Sequence, residues 1–176
     1  MKKPILIGEN IKLRALEPED LTFLFAIENN EAFWEISHTQ TPFSKFLLKQ
    51  YLENAHLDIY EAKQLRLVIA DKATEQAIGF IDLFDFNPQH KRAGVGILVK
   101  PTFQQKGIAS DALSVLINYA FQYLDLHQLF ANITENNHRS IALFEKLHFK
   151  KAGVKKDWLF ADNSYKNEIL YQLIKT

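Results

Sequence analysis

Hydrophobic and polar positions change period several times along the chain, and each change marks an element. After a Gly8-Glu9-Asn10 turn, Ile11, Leu13 and Ala15 alternate with Lys12, Arg14 and Leu16, which predicts a strand with one buried face. Glu17-Pro18-Glu19-Asp20 sets proline where a first helical turn tolerates it and acids where the helix dipole favours them, ahead of Leu21, Leu24, Phe25 and Ile27. A helix to about Glu28 follows. Thr41-Pro42 repeats the start signal before Phe46, Leu47, Tyr51 and Leu52, predicting a second helix to about Ile59. The connection Asn29 to Gln40, rich in acids and aromatics, reads as a loop that could face a substrate.

From residue 64 the period becomes two. Leu65, Leu67 and Ile69 alternate, Ala77 to Phe86 follow a turn, and Ala93, Val95, Ile97 and Val99 alternate before Pro101 closes the run. These predict three antiparallel strands in meander order. Gly107 to Leu124 is helical, with Leu113, Leu116, Ile117, Ala120 and Phe121 on one face. Leu129 to Thr134 reads as a strand and Ile141 to Leu147 as a short helix. Phe149 to Val154 and Tyr165 to Ile174 read as closing strands, joined through Trp158 to Ser164. The order β, α, α, β, β, β, α, β, α, β, β is an α/β (α+β) mixture around one mixed, mostly antiparallel sheet.

With 176 residues and 47% apolar content the chain suits one domain, residues 1–176. Lys plus Arg number 21 and Asp plus Glu number 21, so the field that gathers polyanions is missing, and neither nucleic acid nor a membrane surface is an expected partner. No cysteine occurs, which removes disulfides, thiolate metal sites and a thiol nucleophile; no metal is expected. The start carries Lys2 and Lys3 but only three consecutive apolar residues, Ile5 to Ile7, against the roughly 7 to 15 of a secretory leader. A cytoplasmic location is expected.

Chemistry concentrates after the fourth strand. In Lys100-Pro101-Thr102-Phe103-Gln104-Gln105-Lys106-Gly107-Ile108-Ala109 a strand ends at proline and Gln104-x-x-Gly107-x-Ala109 opens the long helix. Amides at a helix start point outward where the dipole is positive, Gly107 has no side chain to block approach, and Lys106 adds a cation, so the turn suits a phosphate; equally, Gly107 can serve only a tight turn. This segment resembles the pyrophosphate signature of the GCN5-related N-acetyltransferase (GNAT) superfamily, Gln/Arg-x-x-Gly-x-Gly/Ala after a strand. Asn137-His138-Arg139-Ser140-Ile141-Ala142-Leu143-Phe144-Glu145-Lys146-Leu147-His148-Phe149 is similar to the family's Asn-x-x-Ser/Ala-Ile-x-Leu-Tyr-Glu-Lys-Leu-Gly-Phe. Ile11-Lys12-Leu13-Arg14-x-Leu16-x-x-x-Asp20-Leu21 resembles the start of the branch holding ribosomal-protein and spermidine acetyltransferases.

The resemblance implies the GNAT fold, with the sheet splayed between its fourth and fifth strands, and acetyl-CoA as co-substrate. It implies that Ile97, Leu98 and Val99 pair with the pantetheine arm in strand fashion. Amides from Gln105 through Lys106, Gly107 and Ile108 to Ala109 would hold the pyrophosphate behind Gln104. Asn137 and Phe144 would line the arm, and Arg139 or Lys146 would meet an adenosine-side phosphate. A solvated helix face is the alternative for those two cations. The family often forms homodimers or higher homo-oligomers.

Acetyl transfer to an alkylammonium needs a base, because deprotonation costs about 4 to 5 kcal/mol at pH 7. Here the pattern departs from the family. Phe144 replaces the tyrosine acid, His148 replaces a glycine, and Gly94 and Gly96 stand where many members carry a basic glutamate on the fourth strand. Asp82, alternating with Phe80 and Phe84, is the candidate base if desolvation raises its pKa, or else a satisfied strand residue. Tyr165 is the candidate acid or substrate contact. Glu28, Glu31 and Glu35 with Trp34, together with Asp85, suit a cationic acceptor by charge and ring-face attraction, or serve as caps and a small aromatic core. A polyamine-like molecule and a peptide amine both fit. The reading is an N-acetyltransferase working by direct transfer, or a CoA-binding module without catalytic power.

Overall fold

In a computed structural model, residues 4–176 are described and seven strands form one sheet of order β1-β2-β3-β4-β5-β7-β6. Met1 to Lys3, the basic start weighed against a leader, lie outside the described residues. β1 (Ile11–Arg14), β2 (Leu65–Asp71), β3 (Ala77–Asn87) and β4 (Arg92–Val99) form the expected antiparallel meander. β4 runs parallel to β5 (Gln128–Thr134), but pairs with it only at Arg92↔Gln128, Ala93↔Leu129 and Gly94↔Phe130. β7 (Ser164–Ile174) is antiparallel to β5 along its length and carries β6 (Lys150–Ala161) on its outer edge.

The last β4–β5 rung is the place where Phe84 and Phe130 meet edge to face, their centroids 5.7 Å apart. A Cβ on Gly94 would lie 2.3 Å from the Phe84 ring, so only glycine lets that ring cross the strand there. Beyond this rung the strands part, as the family resemblance implies.

Helices cover both sides. α1 (Leu21–Glu28), α2 (Trp34–Ser37), α3 (Lys45–Glu53) and α4 (Ile59–Ala62) precede β2. Leu24, Ile27 and Leu48 of α1 and α3 pack on Val68 and Phe80 in one apolar cluster. α5 (Ile108–Gln122) and α6 (His138–Lys146) contribute Leu113, Leu116 and Phe144 to a larger cluster with Ile81 and Leu83. Each such side chain contributes about 1.5 to 3 kcal/mol by leaving water. Among the described residues, no helix is long and apolar enough to cross a membrane.

Three expectations need correction. The predicted second helix is two. α3 starts behind Ser44, whose Oγ accepts the Leu47 N–H at 3.1 Å, rather than at Thr41-Pro42. α4 restarts behind Asp58, which accepts the Tyr60 and Glu61 amides at 2.9 and 3.0 Å; Leu48 of α3 and Ile59 of α4 enter different apolar clusters. The connection from 29 to 40 is not all loop, since α2 forms within it. β6 extends to Ala161, and Asp162 and Asn163, both left-handed, make the two-residue hairpin turn into β7. On this edge strand both faces are largely solvated, which erases the alternation that marks a strand.

The N-terminal motif has a structural explanation. Arg14 on β1 grips Asp20 with two guanidinium bonds of 2.8 and 2.9 Å, while the Asp20 carboxylate also accepts the Glu17 N–H at 2.8 Å. The buried Asp20 thus fastens the first strand to the start of α1. Burial alone would raise its pKa, but the donors from Arg14 and Glu17 outweigh it and hold the carboxyl below its ordinary value. A depressed folded pKa gives stability that is present above the unfolded pKa and is lost as pH falls through the folded one. Asp20→Asn is therefore expected to cost roughly 1.5 to 3 kcal/mol at pH 7. The deficit should shrink below about pH 4. Thermal unfolding at both ends of that range checks this, and an equal deficit at both contradicts it.

Candidate active site

Beyond Gly94 the β5-facing edge of β4 has no strand partner, so its peptide groups are left for another chain or molecule to complete. The gap is a cleft of about 350 Å³ between Val95–Leu98 and Ala131–Thr134. It continues into a groove of about 430 Å³ lined by Ile97–Val99, the turn after β4, the start of α5 and one face of α6.

The turn is built to present amides. A single 3-10 turn, Pro101–Phe103, ends β4; Gln105 and Gly107 then take left-handed φ of 61° and 77°. Among the described residues, the N–H groups from Gln105 to Ser110 have no acceptor within the chain. A Cβ on Gly107 would meet nothing within 4 Å, so glycine is there for its backbone angle and the space in front of it is open. These donors at the positive end of a 15-residue helix fit a diphosphate.

Gln104, Gln105, Gly107, Ile108 and Ala109 line this groove together with Asn137, Arg139 and Lys146. Gln104 serves as a tie: Nε2 donates to the Val99 carbonyl at 2.9 Å and Oε1 accepts from Arg139 across the groove. Asn137 lines both concavities and caps α6, its Oδ1 accepting the Ser140 N–H at 3.2 Å. Lys106 departs from expectation. Its Nζ stands 5.4 Å from the centroid of the Phe103 ring, and the side chain does not line the groove.

Phe144 lines the cleft rather than the groove, 3% exposed, with its ring edge-to-face against Phe149 at 4.9 Å. His148 replaces glycine by adopting the left-handed backbone itself, at φ 70°.

On the other side of the cleft, a third concavity of about 440 Å³ lies between α1, α3 and the β2–β3 hairpin. Arg66, Asp82 and Phe84 border both. Arg66 Nε donates to Asp82 Oδ1 at 2.7 Å and Nη2 to Oδ2 at 3.1 Å, while Nη1 binds Glu28. The guanidinium also lies 5.2 Å from the centroid of the Phe80 ring. Burial pushes the Asp82 carboxyl above its ordinary range, against the pull of Arg66. Burial works to lower Arg66, but its two carboxylate partners outweigh that and hold it firmly protonated. Asp82 is desolvated as expected, yet both of its oxygens are engaged by a cation that does not titrate, which leaves it poorly placed to act as a base.

The other acidic and aromatic candidates do not converge. The Trp34 indole donates to the Glu28 carbonyl at 2.9 Å. Glu35 binds Lys166 of β7 at 2.7 Å, and both Trp34 and Glu35 border a separate surface groove against the β6–β7 hairpin. Glu31 is exposed on a 3-10 turn, and Asp85 is exposed at a bulge in β3 with φ 46°. Tyr165, 65% exposed, packs edge-on against Phe160 at 5.1 Å near the hairpin tip and does not line the cleft. Arg66 and His38 border the cleft without having been singled out from the sequence. An arginine interrupting Leu65, Leu67 and Ile69 was a signal for Arg66, but its partner is fixed only by the β2–β3 register, Arg66↔Asp82. His38 carried no signal. Among the described residues, no group of three or more His, Asp or Glu is placed to hold a metal ion.

Comparison with known proteins agrees with this architecture. The family model described as acetyltransferase (GNAT) domain matches residues 10–150. Spermidine N(1)-acetyltransferase of Escherichia coli K12 is 28% identical over 165 residues, 92% of this chain and 84% of that one. The crystal structure of spermidine N-acetyltransferase from Vibrio cholerae in complex with CoA and spermine aligns with a TM-score of 0.85 at 27% identity, covering 94% of this chain and 95% of that one. A dodecameric structure of the Vibrio cholerae enzyme in an intermediate state aligns with a TM-score of 0.79 at 27% identity, covering 94% of each chain. A sheet opened beside a helix start that offers free amides, with a model match over most of the chain, identifies this protein as a member of the GNAT family of acetyltransferases.

Proposed function

We propose that residues 1–176 form one catalytic unit that moves an acetyl group from acetyl-CoA to a primary amine of polyamine type, by direct transfer in a ternary complex. The observation that carries this reading is the continuity of three concavities: amide-lined groove, strand gap and acidic pocket meet at Ile97, Leu98, Arg66 and Asp82. Bound acetyl-CoA supplies the activated acyl group. The chain's part is to seat the diphosphate on the Gln105–Ala109 amides and to complete the open β4 edge with the pantetheine arm along Ile97–Val99. Arg139 and Lys146 offer charge to the adenosine end.

Two carboxylates, Glu28 and Asp82, face the acceptor pocket against one guanidinium, which leaves a net negative charge for an alkylammonium. Tyr51 and Phe84 line the same pocket and can contact the methylenes between amines. The spermidine acetyltransferases similar to this chain support a polyamine over a peptide amino terminus. A homo-oligomer is part of the proposal, supported by the dodecameric relative and by the exposed Trp158, Phe160 and Tyr165 of the β6–β7 hairpin. A second reading, a CoA-binding module of little catalytic power, is favoured by Phe144, which has no proton to give. Release of free thiol from acetyl-CoA in the presence of spermidine, against none with CoA binding intact, separates the two.

Gly107→Glu should weaken acetyl-CoA binding at least 100-fold, because it strains a left-handed position and sets a carboxylate at the diphosphate seat. Calorimetry on the folded variant measures this, and unchanged affinity would remove the site. Asp82→Asn should raise the KM for spermidine about tenfold, one lost charge interaction being worth roughly 1 to 2 kcal/mol, with acetyl-CoA affinity unchanged. An equal KM would take Asp82 out of the acceptor site. Phe144→Tyr should raise kcat while leaving acetyl-CoA affinity unchanged, by offering a proton to the departing sulfur; a flat kcat would mean that thiolate protonation does not limit the rate.

A further inference from the structure

We infer that His38, oriented by the buried carboxylate of Glu168, is the group that takes the proton from the acceptor ammonium. This rests on the amine-acetylation reading above. Among the described residues, the titratable side chains lining the strand gap are His38, Arg66 and Asp82. Arg66 stays charged, and Asp82 has both oxygens committed to Arg66. Imidazole alone of the three can accept and release a proton near neutral pH.

The fold fixes where the His38 backbone stands. His38 ends α2 in a left-handed conformation, φ 56° and ψ 30°, with its N–H donating to the Trp34 carbonyl. A non-glycine residue in this region is uncommon and is kept there by its surroundings. The side chain walls the strand gap on one side and the surface groove bordered by Trp34 and Trp158 on the other. Its Nε2 lies 3.8 Å from Oε2 of Glu168, a β7 carboxylate only 4% exposed as a residue. A carboxylate facing one ring nitrogen favours the tautomer with its proton there, which leaves Nδ1 as the acceptor.

The other charges around the ring are paired. Lys155 of β6 binds Glu168, Glu35 of α2 binds Lys166 of β7, and across the gap Arg66 of β2 binds Asp82 of β3. Glu168 is thus shared between Lys155 and His38.

The proton count closes. The alkylammonium gives one proton to His38 and becomes a neutral amine. Its nitrogen pair forms the C–N bond to the acetyl carbon, the C–S bond breaks with its pair going to sulfur, and the second nitrogen proton goes to the thiolate to give the free thiol. The imidazolium then releases its proton to solvent through the groove behind it, so that one proton leaves per amide formed.

The test measures kcat/KM for spermidine with acetyl-CoA between about pH 6 and 10, where imidazole and alkylammonium titrate, alongside acetyl-CoA affinity by calorimetry. His38→Asn keeps a side chain that tolerates the left-handed backbone. It should lose roughly 10²- to 10⁴-fold near neutral pH, the range of a general base, with acetyl-CoA affinity unchanged, and the loss should narrow toward the alkaline end where the amine deprotonates unaided. Glu168→Gln, a change at a positioning residue, should lower kcat several-fold near neutral pH with the KM for spermidine unchanged, because the ring loses the neighbour that favours its productive tautomer, and it should add nothing further in the His38→Asn background. A His38→Asn enzyme matching wild type in rate and profile overturns the assignment while amine acetylation stands. If His38→Asn does not fold, an unchanged kcat in Glu168→Gln overturns it. Wild-type protein that binds acetyl-CoA but releases no thiol with spermidine overturns the amine reading itself, and this assignment with it.

Discussion

A strand inside a sheet must have its peptide groups paired on both edges, and β4 is paired on its β5 side only as far as Gly94. Everything functional in this protein follows from that unfinished edge. Val95 to Val99 hold a row of backbone donors and acceptors beside a cleft in which no ladder to β5 forms. On the far side of the gap β5 is held by β7 along its outer edge. It is anchored on its other side by β3, through Ile81↔Ile97 and Gly79↔Val99. The opening is therefore a fixed feature of the sheet, and the turn after Val99 delivers free helix amides to its mouth.

Charge is distributed around this opening in a definite order. Cations and amides stand at the outer groove, which suits a diphosphate, and carboxylates stand at the far side, which suits an ammonium. At the junction, Arg66 holds Asp82 and Glu28 together, so that neither carboxylate is buried without a partner, which would be far more costly than the pair. That neutralisation has a chemical consequence: it makes a structural acid of the residue best placed by burial to act as a base.

The resemblance motifs differ in what they do. The segments around Gly107 and Asn137 border the groove directly. The N-terminal one works through the fold, since Arg14 and Asp20 lock β1 to α1 and so fix the helix whose last residue, Glu28, lines the concavity beside α3. Spacing alone could not separate these roles. A helix start facing open space and a strand clasped to a turn leave similar marks in a sequence.

The sequence by itself determined the order of the strands, the three-strand meander, and the long helix behind Gly107 with the glycine turn that opens it, because each depends on neighbours within about one or two helical turns or one strand. It misplaced the boundaries of α3 and α4, whose caps at Ser44 and Asp58 lie inside what reads as one run of apolar positions. It also missed the length of β6, where solvation of both faces removes the alternation. The tertiary structure alone decided which acids meet. Arg66 and Asp82 are 16 positions apart and pair through strand register; Glu168 lies far along the chain from His38 and faces it across the edge of the gap. Local sequence sets backbone periodicity, but the protonation and partnership of a side chain depend on what the fold packs against it, and that is a property of the whole sheet.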